Sequence, residues 1–371
     1  MRGASMRHLT ALALGLLLLV GCAAPAAPPA YVRAPDPPRA PAEPVSFPRD
    51  EAPHDNLTEW WYYTGHLFTD DGARYGFEFV VFQVVRGDYP VVYVAHMAVT
   101  DGPKGQFWHD QRVQLGSQIG KDDGFDLDVS GWHLQGALGH DAIAADADPY
   151  GLDLQLTATK PPALHDGIGW ISFGPVGDSY YYSRTRLAVE GALRDADGTR
   201  PVHGQAWMDH QWGDFLVVGG WDWYSLQLDD QTELMLFLTR APDGSAALRL
   251  GTYVAADGAA RELDADAFTA TPTGSWTSPH TGAVYPSGWE VTVPRLGLSL
   301  RLDPTLLDQE LQTAATTGLA YWEGEVVIDG AHGDAPITGL GYVELTGYAP
   351  TQPSTAAAST SASVSASARL P

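Results

Sequence analysis

Two short segments of this sequence hold side chains suited to acid–base work in an apolar setting. In Trp221-Asp222-Trp223-Tyr224 a carboxyl group sits between two indoles. A carboxyl group in a dry pocket keeps its proton toward neutral pH and can serve as an acid. In His210-Gln211-Trp212 an imidazole and an indole stand two residues apart. Alternate residues of an extended strand share a face. Asp222 and Tyr224 then point one way and Trp221 and Trp223 the other, while His210 and Trp212 share a wall. The types present are a proton donor, a base and aromatic faces that stabilise a cation without attacking it. The same residues can also simply fill a barrel floor, as Trp-rich strand openings commonly do.

Other chemistries lack their signatures. No Gly-x-Ser-x-Gly elbow supplies a serine nucleophile, no His-Glu-x-x-His pattern supplies a metal, and no Gly-rich phosphate loop precedes a helix. His54, His66, His96 and His210 could converge in space, but nothing local predicts it, so neither metal nor cofactor is expected. Glu59, His66 and His96 read as interior polar groups of the first half, with ligand contact as the alternative. Asp209 and Glu344 hold equivalent places in two repeats and read as structural, closing a hydrogen-bond network between domains.

These residues must be positioned by strands. Alternating or apolar runs recur at 75–84, 91–99, 126–129, 151–159, 187–193, 233–238, 289–293 and 324–328, with Asp-Gly turns between many of them. One helix is expected, over 303–311, where Asp303 offers an N-cap and Pro304 the first turn. The order also repeats. Trp60-Trp61-Tyr62-Tyr63, Leu67 and Asp70-Asp71 return as Trp221-Asp222-Trp223-Tyr224, Leu226 and Asp229-Asp230. Gly204 to Asp209 parallels Gly339 to Glu344. Two copies of one β-unit, each about the size of an eight-stranded up-and-down barrel, account for this pattern.

Composition sets outer bounds. The chain has 371 residues, 12 Trp, 16 Tyr, 11 Phe, a single Cys and a net charge of -24. That acidity excludes a general nucleic-acid binder, and one Cys excludes an internal disulfide framework. Residues 1–22 read as an export signal: Arg2 and Arg7, then an apolar run from Leu9 to Val20, then Leu19-Val20-Gly21-Cys22. The last four resemble a bacterial lipobox, which implies cleavage before Cys22 and lipidation of its sulfur. The expectation is an exported lipoprotein, held to a membrane on its extracytoplasmic side. Residues 23–53 carry ten prolines and read as a spacer, and 350–371 as a disordered Ser/Ala/Thr tail. Residues 1–53 hold five Arg against four acids and the tail one Arg, so residues 54–349 carry -26.

Five ordered motifs resemble one family. His54-Asp55-Asn56-Leu57-Thr58-Glu59-Trp60-Trp61-Tyr62-Tyr63-Thr64-Gly65-His66-Leu67 is similar to the opening of the AttH and carotenoid 1,2-hydratase (hydroxyneurosporene synthase) family. Ala206 to Gly213 resembles its central motif, Gly220 to Leu228 the start of its second half, and Tyr321 to Gly324 with Gly341 to Tyr348 its end. The resemblance implies an all-β protein of two tandem lipocalin-like antiparallel barrels packed together, here 54–215 and 216–349. One branch of the family adds water to a terminal C=C of acyclic carotenoids without a cofactor. It implies a His-x-Trp pair, matched by His210 and Trp212, and a downstream Asp, matched by Asp222.

The roles assigned are Asp222 as proton donor, His210 as water-orienting base, and Trp212 and Tyr224 as cation-stabilising surfaces. Trp61, Tyr63, Glu59, His66, His96, Trp221 and Trp223 are the expected ligand contacts. The partner is then an apolar small molecule such as a polyene, terpenoid or lipid. Two functions fit: acid-catalysed hydration or isomerisation of a C=C bond, or non-catalytic binding of an apolar ligand in the cell envelope. A carotenoid-pathway enzyme ordinarily works where its substrate is made, so the export signal turns the reading toward another apolar substrate or a carrier.

Overall fold

A computed structural model describes residues 42–118, 123–173, 177–215, 219–241 and 246–350. The export signal, Cys22, the spacer as far as residue 41 and the tail beyond 350 lie outside the described residues. Apart from two three-residue 3-10 turns, every element there is a strand. The first half contains β1 (Thr58–Phe68), β2 (Arg74–Val84), β3 (Val92–Asp101), β4 (Gln106–Leu115), β5 (Phe125–Val129), β6 (Trp132–Ala137), β7 (His140–Asp146), β8 (Gly151–Ala158), β9 (Ala163–Leu164), β10 (Trp170–Ser172), β11 (Gly177–Asp195) and β12 (Gly198–Phe215). The second contains β13 (Trp221–Leu228), β14 (Glu233–Arg240), β15 (Ala246–Val254), β16 (Ala260–Leu263), β17 (Thr269–Thr277), β18 (Val284–Val293), β19 (Leu298–Pro304), β20 (Glu310–Gln312), β21 (Ala320–His332) and β22 (Ala335–Leu345).

Each half forms one antiparallel sheet. The first runs β4-β3-β2-β1-β12-β11-β8-β7-β6-β5, and the second β16-β15-β14-β13-β22-β21-β19-β18-β17. In both, the opening strand pairs with the closing strand, which curls a meander into a barrel. The registers superimpose the repeat: Tyr62 lies opposite Asp209, and Trp223 opposite Glu344.

Each barrel has its own core. Trp61, Tyr63, Phe77, Phe79, Trp132, Leu154 and Met208 fill the first, and Tyr224, Leu226, Leu236, Trp289, Trp322 and Val343 the second. A third cluster lies between the barrels, with Tyr62, Val80, Tyr181, Trp207, Trp223, Met235, Phe237 and Tyr342. This arrangement explains the strand patterns. β8 alternates buried and exposed because one face meets water. β1 and β2 are buried almost throughout because the inner face packs in the barrel and the outer face against the other barrel.

Polar clamps also cross the seam. Glu233 accepts from Lys160 Nζ at 2.7 Å and from Arg186 Nε at 2.6 Å. Gln227 Nε2 donates to the carbonyls of Thr185 and Ala206. His66 Nδ1 lies 2.8 Å from Glu325 Oε1.

Two expectations change. The helix over 303–311 does not form. Residues 298–304 are β19 instead, and Glu310–Gln312 pairs with β21. Asp303 lies opposite Val327 in a ladder, so tertiary pairing overrides the local cap signal. The stretch just before residue 54 is also not free spacer. Val45 N–H donates to Ile168 O, Phe47 packs on Tyr182, and buried Glu51 pairs with Arg184 and accepts from Leu138 N–H. Prolines set the backbone there, but Val45, Phe47 and Glu51 supply enough contacts to dock it.

Candidate active site

The outer faces of β1, β2 and β12 meet those of β13, β14, β21 and β22. Between them lies a narrow cleft with about 50 Å3 of free space. Half-buried Trp60, Phe82 and Trp221 and buried Phe237 and Trp223 line it, with Tyr62, Tyr181 and Tyr321 beside them. The rings meet edge to face, Tyr62 against Trp223 at 5.2 Å and 88°. Into this apolar lining project three carboxyl groups, Glu78, Asp209 and Glu344, and the amide of Gln211.

The carboxyl groups differ in their partners. Asp209 accepts from Trp207 Nε1 at 2.6 Å and from the hydroxyls of Tyr181 and Ser183. Burial raises its pKa to about 6 against the pull of those three donors. Glu344 accepts one hydrogen bond, from Trp221 Nε1 at 2.8 Å, and burial raises its pKa to about 7. Glu323 faces Glu344 across the β21–β22 ladder and accepts from Tyr62 OH at 2.7 Å. Burial, and after it the Glu344 charge, hold both Glu78 and Glu323 well above the carboxylate range. Neighbouring carboxyls in one dry seam cannot all ionise, so the cluster retains protons near neutrality. Tyr181 connects acid and aromatic wall: its hydroxyl donates to Asp209 and accepts from Trp223 Nε1 at 3.0 Å.

The expected catalytic residues separate into two barrels. His210 and Trp212 do share a wall, but it is the inside of the first barrel. There His210 Nε2 lies 2.7 Å from Glu59 Oε1, and Trp61 stacks on the His210 ring at 4.7 Å. Asp222 and Tyr224 point into the second barrel. Asp222 pairs with Arg240 and accepts from Tyr348 OH at 2.9 Å, while Tyr224 packs on Trp289. Strand alternation places them correctly relative to their neighbours. His210 and Asp222 therefore lie inside different barrels.

The expected ligand contacts also divide. Trp221 and Trp223 line the cleft. Trp61 and Tyr63 are first-barrel core, with Tyr63 OH donating to Asp141 at 3.0 Å. His66 is engaged by Glu325, and His96 Nδ1 lies 2.8 Å from Tyr321 OH. Of the four histidines, His54 and His210 converge, on Glu59; His66 and His96 do not join them.

Sequence reasoning set Asp209 and Glu344 aside as structural and passed over Glu78, Glu323 and Tyr181. A signal existed. Glu78 and Glu323 sit in strand runs buried on both faces, which marks a dry environment for their side chains.

The comparisons agree with this architecture. The AttH-like family profile matches residues 38–348. A crystal structure described as AttH from Nitrosomonas europaea is 32% identical, with TM-score 0.75 over 83% of this chain and 98% of that one. Kievitone hydratase from Nectria haematococca is 18% identical, with TM-score 0.66 over 82% and 94%. CghA is 12% identical, with TM-score 0.53 over 79% and 89%. No curated protein matches the sequence.

Proposed function

The chain belongs to the AttH-like family, and on that premise we propose that it adds water to, or isomerises, a C=C bond of an apolar conjugated substrate held between its barrels. One observation carries this: a carboxyl group poised at about pH 7, Glu344, and one poised at about 6, Asp209, line the same aromatic cleft. Such a pair is matched to giving and taking a proton near neutrality. One structural neighbour is named a hydratase, which agrees with the chemistry while sharing only the fold.

In this reading Glu344 donates its proton to one alkene carbon, and the π electrons form the new C–H bond. The indole faces of Trp60, Trp221 and Trp223 stabilise the cation left on the other carbon. Gln211, whose Nε2 is engaged by Ser179, offers its amide oxygen to a water. The water oxygen forms the C–O bond and passes its proton to the Asp209 carboxylate. Exchange with solvent returns the proton to Glu344. Loss of a proton from the cation instead of water attack gives isomerisation.

The export signal and Cys22 support an activity outside the cytoplasm, on a lipid-tethered protein whose acidic globule stands off anionic membrane. The substrate would be a polyene or terpenoid.

The test is incubation of the protein with envelope lipid extract and a panel of polyenes and terpenoids in 18O-water, followed by mass spectrometry. A product carrying one 18O, made by the native protein and lost in Glu344→Gln, supports the proposal. Ligand retained by both proteins with no product favours the carrier.

A further inference from the structure

Asp209 and His210 are neighbours on β12 but face opposite ways. Asp209 faces the cleft, and His210 lies within the first barrel beside Glu59 and His54. We propose that His54, Glu59 and His210 bind a divalent transition-metal ion, of the zinc class, through two imidazoles and one carboxylate. This site is independent of the cleft chemistry above.

Geometry comes first. His54 Nδ1 is 2.8 Å and His210 Nε2 2.7 Å from the same oxygen, Glu59 Oε1. All three ligand atoms fall within 4.8 Å of one another. Tetrahedral ligands at about 2.1 Å from zinc stand roughly 3.4 Å apart, so each nitrogen–oxygen separation needs to open by about 0.6 Å to admit the ion.

The surroundings point the same way. Both histidines turn a ring nitrogen to one Glu59 oxygen, and His54 presents its Nε2 to Asp50 Oδ1 at 3.8 Å. With an ion on Nδ1, Nε2 carries the proton and faces that carboxylate, the outer-shell arrangement that orients metal-binding imidazoles. His210 likewise presents Nδ1 to Tyr182 OH at 3.3 Å. The second Glu59 oxygen is fixed by His54 N–H at 2.8 Å and Gln83 Nε2 at 3.1 Å. Gln83 is itself held by Tyr93 OH at 2.6 Å.

Aromatic planes clamp both rings, His54 on Trp212 at 4.1 Å and His210 on Trp61 at 4.7 Å. The His54 side chain is 20% exposed, which leaves an ion a path from solvent. A bound ion would tie the segment before β1 to β1 and β12, with a remaining position for water.

The experiment strips the purified protein with a chelator, then titrates Zn2+ by calorimetry and Co2+ by visible absorption. The expected result is one ion per chain, ligand-field bands for Co2+, and a higher Tm with metal. His54→Phe keeps the stack on Trp212 and should weaken binding about a hundredfold, as should Glu59→Gln, while His332→Phe leaves it unchanged. Absence of stoichiometric binding by the native protein overturns the proposal, as does unchanged affinity in His54→Phe. Because His54 is partly exposed, that variant tests the site even where Glu59→Gln does not fold.

Discussion

Replacing Glu344 with Gln should make the protein more stable above neutral pH while removing its acid. Glu344 is half-buried in the seam, and its pKa there is about 7 against 4.5 as an unperturbed carboxyl. Below pH 4.5 the group is protonated in both folded and unfolded chains, so it contributes no pH dependence. Between 4.5 and 7 the unfolded chain ionises while the folded one still holds the proton. Stability therefore falls as pH rises through this window, and the loss is complete just above 7. The gap corresponds to about 3 kcal/mol at 1.36 kcal/mol per pH interval. The amide introduced by Glu344→Gln cannot ionise, and its oxygen can still accept from Trp221 Nε1 as the native carboxylate does. The variant should match the native protein near pH 4.5 and exceed it by about 3 kcal/mol, or about 6 °C in Tm, at pH 8. Urea or thermal unfolding of both proteins at several pH values measures this difference. An advantage independent of pH, or a loss of stability at pH 8, would refute the reasoning.

Hydration rate against pH should form a bell with limbs near 6 and 7, because the reaction needs Glu344 protonated and Asp209 ionised; kcat/KM profiles measure both. Asp222→Asn should leave turnover within about twofold, since Asp222 serves Arg240 and Tyr348 rather than the cleft; a turnover assay on the variant measures this. Glu233→Gln should cost about 3–5 kcal/mol in urea unfolding, because it strips the charge partner from buried Lys160 and Arg186 at the seam.

The architecture was largely legible in the sequence because it is written locally. Asp-Gly turns, alternating runs and the repeat of Trp60–Tyr63 in Trp221–Tyr224 lead to two barrels, and the paired registers of Tyr62 with Asp209 and Trp223 with Glu344 bear that out. The false helix at 303–311 arose from a good cap next to Pro304, where pairing of Asp303 with Val327 decides the outcome. The site was harder to read. Phase along a strand correctly sent Trp221 and Trp223 one way and Asp222 the other. Phase does not say which barrel a face belongs to, so Asp222 and His210 were combined although each lies inside a different one. His210 reaches Glu59, and with it His54, from 151 positions along the chain, beyond any local pattern.

Glu344 should keep its proton in the seam up to about pH 7, where an unperturbed carboxyl has lost it by about pH 5. Infrared difference spectroscopy during a pH titration reads the carbonyl stretch of a neutral carboxylic acid directly. A carbonyl band should persist at pH 6, disappear with a midpoint near 7, and be absent from Glu344→Gln. A native spectrum identical to that of Glu344→Gln from pH 5 to 8 would contradict it.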